Sequence, residues 1–326
     1  MFVFLESVVL KFVYKSMKRS KKPMDYEEIL IYKTAWYYYI EGMTQQKIAE
    51  LMGISRMRVI KLLEKAHKTG IVQIKIREDK VARIQSEKEL ITKYGLKDAF
   101  VVPSNPNDAD TNETISKAAA MYISDRLENN TFVNIGYGDT LSRVLNNLTK
   151  NSDKSFSLVS LTGGVNHYLQ NMQHNLENAT IHLTPAPLVA STKEMVAAIK
   201  EEGSVKEISR LTKLSSMTVI GIGAMDDTAT IFKNGILTNN DKLYLKMQGA
   251  VGDILSHFID KDGNLVKSGF DDRLISTSLE TVKSLNNVIG VAGGESKIDA
   301  IKATLNGKYI DILITDEKTA IKLTEE

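Results

Sequence analysis

Three helical patterns open the chain after its first residues. From Asp25 to Glu41, Ile29, Tyr32, Trp36, Tyr39 and Ile40 recur at helical spacing and predict an inward stripe, with Gly42 as the stop. Thr44 is placed to cap a second helix over 45–52, with Ile48, Ala49 and Met52 inward, and Gly53 supplies a tight turn. Ser55 caps a third helix reaching about Thr69, with Val59, Leu62, Leu63 and Ala66 on one stripe. After Gly70 the run IVQIKI sets Ile71, Ile74 and Ile76 in a β-like pattern that suits a wing strand. Residues 78–92 are charged, with Val81, Ile84, Leu90 and Ile91 at helical spacing, and read as a linker helix.

Beyond Leu96 the pattern changes. The β-rich runs AFVVP, TFVNIGYG, FSLVSLTGG, TIHLTPAP, SMTVIGIG, NVIGVAGG and YIDILITD alternate with glycine-rich turns and helical stretches. That repetition predicts an open α/β domain with a mainly parallel sheet. The expected division is an extension over 1–24, an all-α, winged helix-turn-helix domain over 25–77, the linker helix over 78–92 and a larger domain over 93–326. The extension begins with the apolar MFVFLESVVLKFVY, which Glu6 and Lys11 interrupt. It is shorter than the roughly 20 residues of a membrane span, so a loosely packed segment is expected, with no membrane partner. Met17 and Met24 are alternative starts.

Charge sharpens this division. The 326 residues carry a net charge of only +2, yet residues 17–77 carry +7 and residues 78–326 carry −6. A basic head on an acidic body points to a polyanion partner for the head. Residues 55–77 hold seven Lys/Arg against one acid, Glu64. Opposite the apolar stripe, the third helix presents Met57, Lys61 and Lys68, flanked by Arg56, Arg58 and Lys65. One apolar and one basic face is what entry into the major groove of double-stranded DNA requires. Thr44, Gln45 and Gln46 begin the preceding helix, where short polar side chains touch backbone phosphates. A plain three-helix packing unit with a solvated basic face is the competing reading. The chain has no cysteine, which removes disulfides and thiolate metal sites and fits a cytoplasmic protein.

In the larger domain, Gly136 and Gly138 of IGYGDTLSRVL let backbone approach a ligand at the start of a helix, where Asp139, Thr140 and free N–H groups bind phosphate or hydroxyls. LTGG (161–164), GIGAM (221–225) and AGGESK (292–297) are similar turns. Lys297 stands at a helix start, unfavourable for the helix dipole but suited to an anionic ligand. Asp253 reads either as a carboxylate facing sugar hydroxyls or as a helix cap. In open α/β sheets ligands gather at the carboxyl ends of strands, where these turns fall.

The stretch 35–76 resembles the N-terminal domain of the SorC family of sugar-binding regulators, with Met52 in place of the usual leucine. The resemblance continues over roughly 25–326 through GYGDTL, LTGG, PAP, GIG, GAVGD, DKDG, GGESK and LITDEKTA, in family order. It implies that Ser55, Arg56, Met57, Arg58 and Lys61 sit in the operator groove. It also implies a sugar-phosphate isomerase-like effector domain, with Gly138, Asp139, Thr140, Gly163, Gly164, Asp253 and Lys297 as effector contacts. The family often has arginine or threonine where Asp139 stands, so Asp139 is expected to face a hydroxyl or point away. The expected function is regulation of a carbohydrate operon, modulated by a phosphorylated sugar or polyol, in a homodimer or homotetramer that reads paired half-sites. No cofactor is implied. His67, His167, His174, His182 and His257 form no recognisable acid–base constellation, so no enzyme activity is expected; the alternative is an active sugar-phosphate isomerase or deaminase joined to a DNA-binding domain.

Overall fold

The computed structural model describes residues 25–73, 78–105, 111–165, 168 and 178–325. It separates into two compact units, residues 1–81 and 82–326.

The described part of the first unit is helical. Helix α1 (Tyr26–Tyr39) is capped by Asp25, α2 (Gln45–Met52) by Thr44 and α3 (Arg56–Lys68) by Ser55. Gly53 turns between α2 and α3 at φ +64°, a left-handed conformation open to glycine. Val59, Leu62, Leu63 and Ala66 are buried, as their spacing predicts. The α1 stripe is a correction. Its buried residues are Leu30, Ile31, Thr34 and Ala35, while Ile29, Tyr32, Trp36 and Ile40 are exposed and Tyr39 is half-buried. The helix is apolar nearly all round, so periodicity allows two faces. The one carrying Thr34 and Ala35 lets α1 approach Leu62 and Ala66 of α3 closely, and Tyr32 and Trp36 stay exposed. Residues 71–72 form a bend, and Ile74 and Ile76 of the expected wing lie outside the described residues. The extension 1–24 lies outside them too.

Helix α4 (Glu78–Tyr94) crosses the division between the units. Leu90 is fully buried in the core of the second unit, but Val81 and Ile84 are exposed, so the expected stripe is only partly inward. Glu87 Oε1 accepts from the Val101 N–H at 2.8 Å, and the Tyr94 hydroxyl donates to the Leu323 carbonyl at 2.9 Å. The later part of α4 therefore belongs to the core it leads into.

The second unit is built on a seven-stranded sheet of β1 (Asp98–Val102), β2 (Thr131–Ile135), β3 (Phe156–Ser160), β4 (Ala179–His182), β5 (Met217–Gly221), β9 (Val288–Val291) and β10 (Ile312–Asp316). The order is β1-β10-β9-β5-β2-β3-β4, and every pairing is parallel. Buried residues form one cluster around Leu90, Ile220, Ile301 and Leu313, and another around Ile115, Val144, Leu158 and Ile314. A feature the pattern did not predict is a three-stranded antiparallel sheet of β6 (Gly223–Ala224), β7 (Gly252–Ile254) and β8 (His257–Ile259).

Helices cover the parallel sheet. The ones that matter for function are α5 (Thr111–Arg126) and α6 (Asp139–Asn151), which pack on each other, and α12 (Ile298–Asn306). The others are α7 (Lys193–Glu201), α8 (Gly203–Leu214), α9 (Thr230–Lys233), α10 (Asn239–Met247), α11 (Leu279–Ser284) and α13 (Glu317–Thr324). From β2 the chain proceeds to β3 on one side, and from β5 to β9 on the other. The sheet thus has a topological switch between β2 and β5, where ligand crevices form in open α/β sheets.

Candidate functional site

A cavity of about 530 Å³ opens at this switch. Its walls come from the turn after β2 (Tyr137 to Arg143), the segment after β5 (Gly221 to Ala224), residues around α9 (Thr228 to Asn234), Asp253 and Leu255 of the small sheet, and Lys297. Gly138 precedes α6 at φ +127° and gives no side-chain cap, which leaves first-turn N–H groups for an anion. Thr140 is buried, and its hydroxyl lies 3.4 Å from Asn112 Oδ1. Asp139 stays on the rim, clamped by Arg143 Nε at 3.0 Å, while Arg143 Nη1 donates to Glu113 at 2.9 Å.

Asp253 sits on β7, which removes its reading as a helix cap. Its Oδ2 accepts from the Ser256 N–H at 3.0 Å. Opposite it stands Gly223, where a Cβ would lie 1.9 Å from Asp253 Oδ1, so only glycine leaves room for the carboxylate. Burial raises the Asp253 carboxyl to about 6, against the opposing effects of the Ser256 N–H, Lys297 and His257. Lys297 ends a 3₁₀ turn (Glu295–Lys297) leading into α12. Burial lowers its pKa, while Asp139, Asp253 and Asp226 pull it up. Among the described residues its ammonium has no hydrogen bond or ion pair within 4 Å.

Five expected effector contacts, Gly138, Asp139, Thr140, Asp253 and Lys297, thus meet in one cavity. The other three do not line it. A Cβ on Gly136 would lie 2.8 Å from Leu255 Cδ2, so this glycine makes room beneath the cavity wall. Gly163 would meet the Pro187 carbonyl at 2.2 Å; its N–H donates to Ile275 O and that of Gly164 to Ala186 O, which staples LTGG to the PAP loop. Gly163 borders a separate cavity of about 330 Å³ with Thr162, Thr184 and Thr277. Sequence reasoning passed over Asn112, Arg143, Thr228, Thr230, Lys233 and Asn234. Only the polar run DDTATIFKN after GIGAM hinted at the α9 wall.

In the first unit, Arg56, Met57, Arg58 and Lys61 are exposed on α3, opposite its buried stripe. Ser55 and Thr44 accept from the Arg58 and Lys47 N–H groups as helix caps. Gln46 donates along its helix to Glu50 at 2.9 Å. Thr44, Gln45, Gln46 and Arg56 line one cleft together with Tyr38 and Met43. The two helices therefore offer a polar and basic edge, and Arg56 and Lys61 are among its cations that make no hydrogen bond or ion pair with the described residues.

Comparison with known proteins decides the family. The profile described as "Putative sugar-binding domain" matches residues 79–325, and that of sigma-70 region 4 matches residues 36–68. The transcriptional regulator LsrR of Klebsiella pneumoniae is 33% identical over 298 residues, 90% of this chain and 92% of that one. The chain belongs to the SorC family of sugar-binding transcriptional regulators. The crystal structure of the full-length sorbitol operon regulator SorC from Klebsiella pneumoniae matches with a TM-score of 0.67 and 27% identity, covering 91% of this chain and 98% of that one. A DeoR family transcriptional regulator from Listeria monocytogenes, 24% identical, shares the fold at a TM-score of 0.68 over 74% of this chain and 99% of its own. As a SorC-family member the chain is a DNA-binding transcriptional regulator with a sugar-binding domain, and its basic α3 lies inside the matched sigma-70 region. No helix among the described residues is long and apolar enough to cross a membrane.

Proposed function

We propose that this SorC-family regulator controls a carbohydrate operon and that a phosphorylated sugar or polyol in the switch-point cavity modulates its grip on the operator. The observation that carries this reading is the pairing of an uncapped α6 N-terminus with Lys297, an unpaired cation, in one polar cavity. A phosphate suits that end, where backbone N–H groups and an ammonium converge. Asp253, Thr228, Thr230 and Asn112 offer acceptors and donors for hydroxyls along the remaining wall. Ser55, Arg56, Met57, Arg58 and Lys61 enter the major groove, and Thr44, Gln45 and Gln46 hold the backbone. The working species is a homo-oligomer, because a single helix-turn-helix reads too few base pairs for specificity and paired half-sites supply the rest.

The effector is bound, not converted. Asp253, raised to about 6, is the one observation that favours catalysis, since a carboxyl so tuned is a capable base. Isomerisation also needs a proton relay to the neighbouring carbon, and among the described residues no histidine or glutamate lines the cavity. Calorimetry with aldose, ketose and polyol phosphates and their unphosphorylated parents tests the reading. Tight binding that requires the phosphate and is lost in Lys297→Ala is the expected result. Equal binding of the parents removes the phosphate assignment, and turnover of any member removes the sensor-only reading. Operator affinity and oligomer size unchanged at saturating ligand would remove the regulation.

A further inference from the structure

The cavity wall ends in a strained turn. Leu255 and Ser256, between β7 and β8, lie in the left-handed region at φ +53° and +69°. For non-glycine residues such conformations are strained, so the surroundings must hold them. Ser256 donates its N–H to Asp253 at 3.0 Å, and its Oγ lies 2.6 Å from the Tyr137 hydroxyl. Ser276 Oγ donates to the Leu255 carbonyl at 2.9 Å. The next residue, His257, is fixed at both ring nitrogens.

The protonation of that ring follows from its partners. Nε2 lies 3.1 Å from the Thr277 carbonyl, which only accepts, so Nε2 carries a proton. Nδ1 lies 3.0 Å from Asp271 Oδ1, and a carboxylate accepts, so Nδ1 carries one too. Both ring nitrogens thus face acceptors, and the ring is buried at 8% exposure. Asp271 Oδ2 is buried with no hydrogen-bond partner among the described residues, so this carboxylate relies on His257 for its compensation. The charged groups that face the ring are Asp271 from the 3₁₀ turn Asp271–Arg273 and, across space, Asp253 from β7; the Thr277 segment brings only a carbonyl.

We propose that the His257–Asp271 pair is the positioning element of the effector cavity: it locks the Leu255–Ser256 turn and so sets the Asp253 carboxylate and the Leu255 side chain in the wall. The proposal rests on the reading of this cavity as the effector site. His257 does not line the cavity, so it acts only through the turn. Loss of either anchoring bond frees the turn, and effector affinity then falls.

Nuclear magnetic resonance of the full-length chain with labelled histidine and aspartate, combined with calorimetry, tests this. The probes are glucitol 6-phosphate and inorganic phosphate. Wild type is expected to show both His257 nitrogens protonated at neutral pH. H257Q is expected to bind glucitol 6-phosphate about tenfold more weakly and to move the Asp253 carboxyl titration upward. D271N, which keeps the ring, is expected to reproduce both effects, and it serves if H257Q fails to fold. A neutral His257 ring at neutral pH overturns the proposal whatever the probes do. So does equal affinity in wild type and variants. Failure of wild type to bind either probe counts against the effector reading instead. The proposal is then decided by the Asp253 carboxyl titration, which must move upward in H257Q and stays in place if the pair merely packs.

Discussion

At the residue scale, two groups carry opposite costs in one cavity. Asp253 has a folded pKa of about 6, above its ordinary value, so the folded chain holds a proton that the unfolded chain releases. Stability from this group therefore declines as pH rises from about 4 to 6 and is level above. Asp253→Asn is expected to flatten that slope and to stabilise the chain at pH 7 by at most about 3 kcal/mol, less where cavity solvent screens the charge. Thermal unfolding across that pH range measures it, and the same variant should bind effector more weakly. Gly223→Ala drives a methyl into the Asp253 carboxylate, so effector binding should fall at least about tenfold, checked by calorimetry. Arg58→Ala removes an exposed α3 cation, and operator affinity should drop by about 1–3 kcal/mol with effector binding unchanged. Loss of both would make Arg58 a structural residue.

At the element scale, caps and stripes were legible because they are local. Ser55, Gly53 and Thr44 act over three or four residues, and α2 and α3 form where their sequence asks. Ser55→Ala should cost about 1 kcal/mol, read from denaturant unfolding, and should weaken operator binding by loosening the α3 N-terminus. The α1 face was not legible. A helix apolar on most sides chooses its buried face by what packs on it, and α3 meets the face carrying Leu30, Ile31 and Ala35. In α4 likewise, Leu90 is claimed by the effector core while Val81 and Ile84 remain outside. The antiparallel β6-β7-β8 sheet escaped the pattern because its strands are only two or three residues long, too short for alternation to register.

At the scale of the whole molecule, charge and topology divide the labour. A basic head of +7 and a body of −6 make DNA binding a matter of counterion release by the head. Operator affinity should fall linearly with log salt, and Lys61→Ala should reduce the slope by about one, measured by fluorescence anisotropy. With two compact units, calorimetric unfolding should respond selectively: an effector raises the transition of residues 82–326, and operator DNA raises the other. A single transition raised equally by both ligands would show one cooperative unit.

By itself the sequence determined the alternation of strands and helices, the helix-turn-helix with its basic face, and the ordered glycine turns that carry the family resemblance. Each depends on neighbours a few residues apart or on their order, and both are written in the chain. Tertiary structure decided which glycines line the switch-point cavity. Gly136 and Gly163 answer to Leu255 and Pro187, side chain and backbone more than 20 residues distant, whereas Gly138 and Gly223 open the cavity itself. Long-range packing also brought Asp253 and Lys297 to one cavity and set His257 beside Asp271. Such contacts depend on distances between elements, and no local spacing encodes those.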